Sequence, residues 1–246
     1  MAKRHYSRSK TIFKVNDQEV RGDTYKPRKA KQGGFPAVMF LHGRDQDRDS
    51  YTDIAKQLAD KYIASFVFDF RGHGDSKGVL GKQTLRDGLK DGREAYDILL
   101  EEDDINHKKI GIFGFGFGGY LASLLSDERE IKSMLLTAPA IYKDEWLDLM
   151  YRNFPLKDVK GFRSKINFVE MESIKAIRKY TGRLMIAGTE DDKEAPETFV
   201  NAYYANAIKS KKKKQKFFKL IDNKLKNKEF KEKFEPFVVK WFSKTL

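Results

Sequence analysis

Lys109-Ile110-Gly111-Ile112-Phe113-Gly114-Phe115-Gly116-Phe117-Gly118-Gly119 decides the fold. Lys109 to Phe115 reads as a short buried strand, and helical spacing takes over from Gly118 to Ser126 with glycines at the joint. A strand that passes into a helix through so few residues is one unit of a parallel α/β sheet.

The same alternation extends in both directions. Upstream, Pro36 to Leu41 is an apolar run ending in His42-Gly43, Tyr51 to Tyr62 is helix-like, Ile63 to Phe70 strand-like, and Leu85 to Leu100 helix-like. Downstream come strand-like Ile131 to Thr137 and Arg183 to Ala187, helix-like Glu197 to Lys209, strand-like Phe217 to Ile221, and a last helix from about Asn227 to Phe242. Thr11 to Val15 and Glu19 to Tyr25 flank Asn16-Asp17, which predicts an antiparallel hairpin at a sheet edge. The expectation is a mostly parallel, doubly wound α/β sheet in one domain spanning 1–246. A short cap-like insertion is expected at about 140–180, around Trp146, Phe154 and Phe162.

Composition bounds the chemistry. The chain has 246 residues, enough for one large α/β domain, and no cysteine, so thiolate nucleophiles, thiolate metal sites and disulfides are excluded. His5, His107 and the acids have no metal-ligand spacing, and neither a metal nor another cofactor is expected. Met1 to Lys10 lacks the apolar stretch of a secretion signal and no apolar run is long enough to span a bilayer, which predicts a soluble, cytoplasmic protein. The net charge of +13 is uneven, with residues 1–31 and 207–246 together carrying +17 and the middle about −4. A basic central groove is therefore not supported. Lys211, Lys212, Lys213 and Lys214 read as a solvated turn, with polyanion binding as the functional alternative.

The order of these segments and their punctuation resembles the α/β-hydrolase family, close to acyl esterases and serine aminopeptidase-like hydrolases. Gly114 to Gly119 corresponds to the nucleophile elbow G-x-S-x-G. Leu41-His42-Gly43 resembles the oxyanion-loop strand end, Phe68 to Ser76 the loop after the next strand, and Thr137-Ala138-Pro139 the strand end before the cap. The resemblance implies a Ser-His-Asp triad, and the chain departs from it twice. Gly116 stands at the nucleophile position, and Asn223, counted back from Trp241, stands at the histidine position, with no histidine after His107. For the acid, Gly188 to Pro196 is one residue too long; counting from Gly188 selects Asp191 and from Pro196 selects Asp192, the preferred assignment. Either aspartate could equally cap the helix that begins near Pro196.

Acyl transfer needs an attacking oxygen and an imidazole, and neither Gly116 nor Asn223 supplies one. The backbone oxyanion donors implied by the resemblance, Arg44 after His42-Gly43 and Phe117 after the elbow, need no side chain. Ser123 and Ser126 read as packing or surface residues, and His42 and His73 as loop-bracing ones. The leading expectation is a non-catalytic hydrolase-fold protein that binds a small apolar ligand or a protein partner. The alternatives are an active serine-type ester or amide hydrolase with a relocated nucleophile or base, and a basic binding module.

Overall fold

A computed structural model of the chain describes residues 5–29, 31–164, 167–190, 192–219 and 227–246, so Asp191 and Asn223 lie outside the described residues. Among the described residues eight strands, β1 to β8 in chain order, form one sheet in the order β1-β2-β4-β3-β5-β6-β7-β8. β1 (Tyr6–Val15) and β2 (Gln18–Pro27) are the antiparallel hairpin, turned at Asn16 and Asp17, which both have positive φ as a tight two-residue turn requires. β2 pairs antiparallel with β4 (Ala64–Phe68), and every pairing from β4 to β8 is parallel.

β3 (Phe35–Leu41) is buried at every position, as a central strand covered on both faces must be. On one face α1 (Thr52–Ala59) and α7 (Lys228–Thr245) pack Ile54, Leu58, Phe234 and Phe242 against Val38, Phe40 and Phe113. On the other, α2 (Leu85–Leu100), α3 (Phe117–Leu125), α5 (Glu172–Lys179) and α6 (Glu197–Asn206) cover Met39, Leu41 and Ile112, with α4 (Leu156–Arg163) preceding α5 in the chain. α2 starts where Thr84 and Asp87 close a reciprocal capping box and ends at Leu100, the span expected from its periodicity.

Two details of the sheet position the site. After β3 the chain moves to β4 on one side, then returns to β5 (Ile105–Phe115) on the other, so the winding reverses between β3 and β5 and opens a crevice at their carboxyl ends. Those ends are in step: Leu41 pairs with Gly114, Gly114 with Leu136 of β6 (Ser133–Thr137), and Leu136 with Ile186 of β7 (Arg183–Thr189). The loops that leave these strands therefore meet above one edge of the sheet.

One expectation is corrected here. β8 runs from Lys212 to Phe218, so Lys212, Lys213 and Lys214 are strand residues paired with Arg183, Leu184 and Met185 and not a turn. Lysines have poor strand preference, but β8 is the outermost strand, where exposed lysines discourage a further strand from adding. The hairpin strands are also longer than their apolar cores suggested. Among the described residues no helix is long and apolar enough to cross a membrane.

Candidate functional site

Gly116 occupies the turn between β5 and α3 with φ 52° and ψ −111°, a backbone conformation that side-chain-bearing residues rarely adopt. The turn is pinned from both sides: the Gly116 N–H donates to the Thr137 carbonyl at 2.9 Å, and the Ala140 N–H donates to the Gly116 carbonyl at 3.0 Å. Its glycine neighbours answer to a different constraint. A Cβ on Gly118 would lie 1.9 Å from the Leu41 carbonyl oxygen, and one on Gly114 would lie 2.6 Å from the Gly118 carbonyl oxygen. α3 thus leaves the sheet so close to β3 that only glycine fits at those positions. At Gly116 a Cβ would meet only the Ala138 carbonyl oxygen, at 4.0 Å, apart from its chain neighbours.

The loop after β3 is braced by two buried histidines. His42 Nδ1–H donates to the Gly43 carbonyl at 2.7 Å, while its Nε2 accepts from the Phe70 N–H at 3.1 Å. That arrangement needs the neutral ring, and burial, assisted by the neighbouring His73, pushes its pKa down to about 3. The Gly43 carbonyl also accepts from the Gln46 N–H at 3.1 Å. In a trans peptide the N–H points opposite to the C=O, so these two bonds aim the Arg44 N–H away from His42 and Gln46. His73 then holds the next carbonyl, donating from Nε2 to the Arg44 oxygen at 2.9 Å. Burial also lowers the His73 pKa. His42, which the resemblance puts at the oxyanion and pocket loop, is not among the residues that line the cavity described below and acts on that loop through the backbone.

After β7, Asp192 is buried and its carboxylate accepts from the Glu194 and Ala195 N–H groups at 2.8 and 3.0 Å and from the Thr189 hydroxyl at 3.3 Å. Pro196 is the cap residue of α6, and the two amides that the Asp192 carboxylate holds precede it in the chain. The carboxylate shapes the loop ahead of the helix.

Gly43, Arg44, Gly116, Phe117 and Asp192 converge on one cavity of about 380 Å³. Phe115, Phe117 and Trp146 line this space and leave it open, and the segment between β6 and β7 supplies its apolar roof through Ile141, Trp146, Phe154 and Phe162. Among the described lining residues there is no serine, threonine, cysteine, lysine or histidine. Ser123 is spent on the Tyr120 carbonyl at 2.6 Å and Ser126 on the Ser123 carbonyl at 2.6 Å, and neither reaches the cavity. His107 is exposed near the opposite end of β5 from Gly116.

Residues 35–169, more than half of the chain, match the family model described as serine aminopeptidase, S33. The chain belongs to this family. Within curated members of wider kinship, this serine aminopeptidase-family chain is 27% identical to the uncharacterized protein YfhR of Salmonella typhi over 36% of its own length and 29% of that protein's. It is 31% identical to inactive dipeptidyl peptidase 10 of Rattus norvegicus over 51% of its own length and 16% of that protein's. The match thus spans less than a third of the length of either relative. Among solved structures, a putative dipeptidyl aminopeptidase IV from Bacteroides ovatus superposes on all of the chain with a TM-score of 0.76, at 15% identity and over 36% of that larger chain, a likeness of fold alone.

Two features of the site were not read from the sequence. The Arg44 side chain faces the cavity, over the rings of Tyr151 and Phe154 at 5.2 and 5.5 Å. On α2, Gly88 leaves room for the Phe117 ring, whose tip would lie 2.5 Å from a Cβ there. Only a glycine in an otherwise regular helical pattern could have hinted at the second.

Proposed function

We propose that this chain keeps the hydrolase scaffold and its cavity, has lost serine hydrolysis, and uses the cavity to bind a small, largely apolar ligand. The observation that supports this most directly is Gly116: the elbow presents no side chain to an open cavity whose described lining offers no hydroxyl nucleophile of serine or threonine type, no thiol and no imidazole. In this reading Gly116, Asp192 and Asn223 are the vestigial nucleophile, acid and base positions, with Asp191 the alternative acid. The Arg44 and Phe117 N–H groups are the surviving oxyanion donors, the latter as the first amide of α3 with no partner inside the helix. Residues 140–180 act as a cap over a single domain. A relocated base draws no support from His42, whose two ring nitrogens are both engaged. That a relative is named inactive dipeptidyl peptidase 10 is in keeping with loss of activity in this superfamily. Polyanion binding through Lys211 to Lys214 draws less support, since Lys213 is held on the Tyr204 carbonyl at 2.9 Å.

The test is turnover and labelling of the purified chain. The expected outcome is no hydrolysis of p-nitrophenyl acetate above a heat-denatured control and no covalent labelling by a fluorophosphonate. Stoichiometric labelling of one serine overturns the reading and names the displaced nucleophile.

A further inference from the structure

The cavity lining includes two cations that the vestigial triad does not use, Arg163 and Arg44, and Arg44 is the one on the loop after β3, beside Gly43 and close to the elbow. Arg44 is half-buried, lines the cavity, and among the described residues forms no ion pair. Its partners there are the Tyr142 hydroxyl at 3.4 Å and the faces of Tyr151 and Phe154. Aromatic faces attract a guanidinium but leave its in-plane N–H donors, which match a carboxylate, without an anion. The acids that share the lining are poor substitutes. Asp45 and Glu194 are exposed, and the Asp192 carboxylate is already bound by two backbone amides and a hydroxyl.

Resting on the reading of this cavity as a binding site, we propose that its ligand is a small apolar carboxylate. The anion is held by the Arg44 guanidinium at the mouth of the elbow, and the hydrocarbon part lies among Ile141, Trp146, Phe154 and Phe162. The missing side chain at Gly116 contributes space: where a serine would project, the nearest atom outside the turn is the Ala138 carbonyl oxygen at 4.0 Å. A volume of about 380 Å³ is at the small end of ligand pockets, which suits a medium-length acyl or aryl-alkyl acid better than a peptide or a long lipid. No bond is made or broken in this proposal; the ligand binds and leaves unchanged.

The test is binding of octanoate and of octanol, which share a chain and differ in charge, to the full purified chain at pH 7.5. Titration calorimetry gives the affinities, and Trp146 in the cavity lining gives a fluorescence change. Octanoate is expected to bind saturably and at least about tenfold more tightly than octanol, the scale of a charge-assisted hydrogen bond. Arg44→Met keeps an apolar side chain of similar length and is expected to shrink that preference to about twofold or less. Equal affinities for the two probes, no saturable binding of either, or an Arg44→Met protein that retains the preference overturns the proposal. If the variant does not fold, the comparison of the two probes on the natural chain still decides. Turnover of p-nitrophenyl octanoate, measured alongside, would overturn the loss of hydrolysis without touching the charge preference, so the two readings fail separately.

Discussion

The carbonyl oxygen of Ala138 stands 4.0 Å from the place a Cβ on Gly116 would take, an ordinary van der Waals contact. Two residues further on, the same addition at Gly118 meets the Leu41 carbonyl oxygen at 1.9 Å. Glycine is therefore dictated by space at Gly118 and only by backbone conformation at Gly116.

The two positions should respond differently to alanine. Gly116→Ala is opposed by a positive φ, which costs about 1 to 3 kcal/mol, partly offset by a stiffer unfolded chain. Gly118→Ala must push α3 off β3 and should cost more than about 4 kcal/mol, in the range reserved for severe steric faults. Urea unfolding of both variants checks this, and similar losses at the two sites would contradict the close-approach argument.

A second contrast concerns ion pairs. Arg71 and Asp91 are both buried, joined by Nε to Oδ1 at 2.6 Å and by the Arg71 N–H to Oδ2 at 2.9 Å. Asp91→Ala leaves the buried guanidinium with only the longer contact to the Asp87 carboxylate at 3.3 Å and should cost about 3 kcal/mol at pH 8, whereas the double change Arg71→Met with Asp91→Leu should recover much of it. Removing the exposed pair Arg86–Asp148 in the same way should leave the unfolding midpoint where it is.

Acid sensitivity should trace to His42. Its pKa falls from 6.5 to about 3 on folding because burial excludes the charged ring. The unfolded state therefore binds the extra proton between those values, so stability is full above about pH 6.5 and declines as pH falls, by about 2 kcal/mol at pH 5. Asp91, whose carboxyl burial raises to about 6, changes in the opposite sense over the same range. The check is accordingly the difference between the natural chain and His42→Asn, measured at pH 7.5 and pH 5. A slope unchanged by the substitution would mean that the imidazole is reached by water.

The parts of the molecule that sequence conveyed are those governed by local rules. α2 has a capping box and an unbroken helical period, and both its ends fall at Leu85 and Leu100 as read. β3 and β5 are apolar runs stopped by glycine loops, and the alternation of such runs with helices gave the doubly wound class, though not the position of each strand in the sheet. Where the determinants are distant the sequence was silent. β8 is a strand because β7 offers it a ladder, whatever its lysines prefer. Arg44 faces Tyr142, 98 positions away in the chain, a contact set by how the segment after β6 folds back over the sheet. His42 carried its role in its position at a strand end, but only its two hydrogen bonds tell bracing from chemistry.

The last prediction tests together the two positions that the proposed function treats as vestigial. A nucleophile and its base act as a unit, so restoring one alone yields little. Gly116→Ser places a hydroxyl in the open cavity beside the Phe117 amide, but the described lining holds no imidazole to accept its proton. Asn223→His supplies an imidazole at the position chosen by counting back from Trp241, with nothing to activate. Combined, they restore both groups at the positions that the resemblance assigns to the triad, with Asp192 on the loop after β7. Hydrolysis of p-nitrophenyl acetate by the double variant should exceed the sum of the single variants by at least about tenfold, since even a poorly aligned pair gains from cooperation. Each variant must first show a cooperative unfolding transition, because a serine at position 116 takes on a positive φ that glycine adopts freely. Flat rates in three folded variants would mean that the base position is misassigned or that Arg44 and the roof exclude the ester. Activity already present in the natural chain and insensitive to substitution at Gly116 would place the chemistry elsewhere in the molecule and end the pseudoenzyme reading.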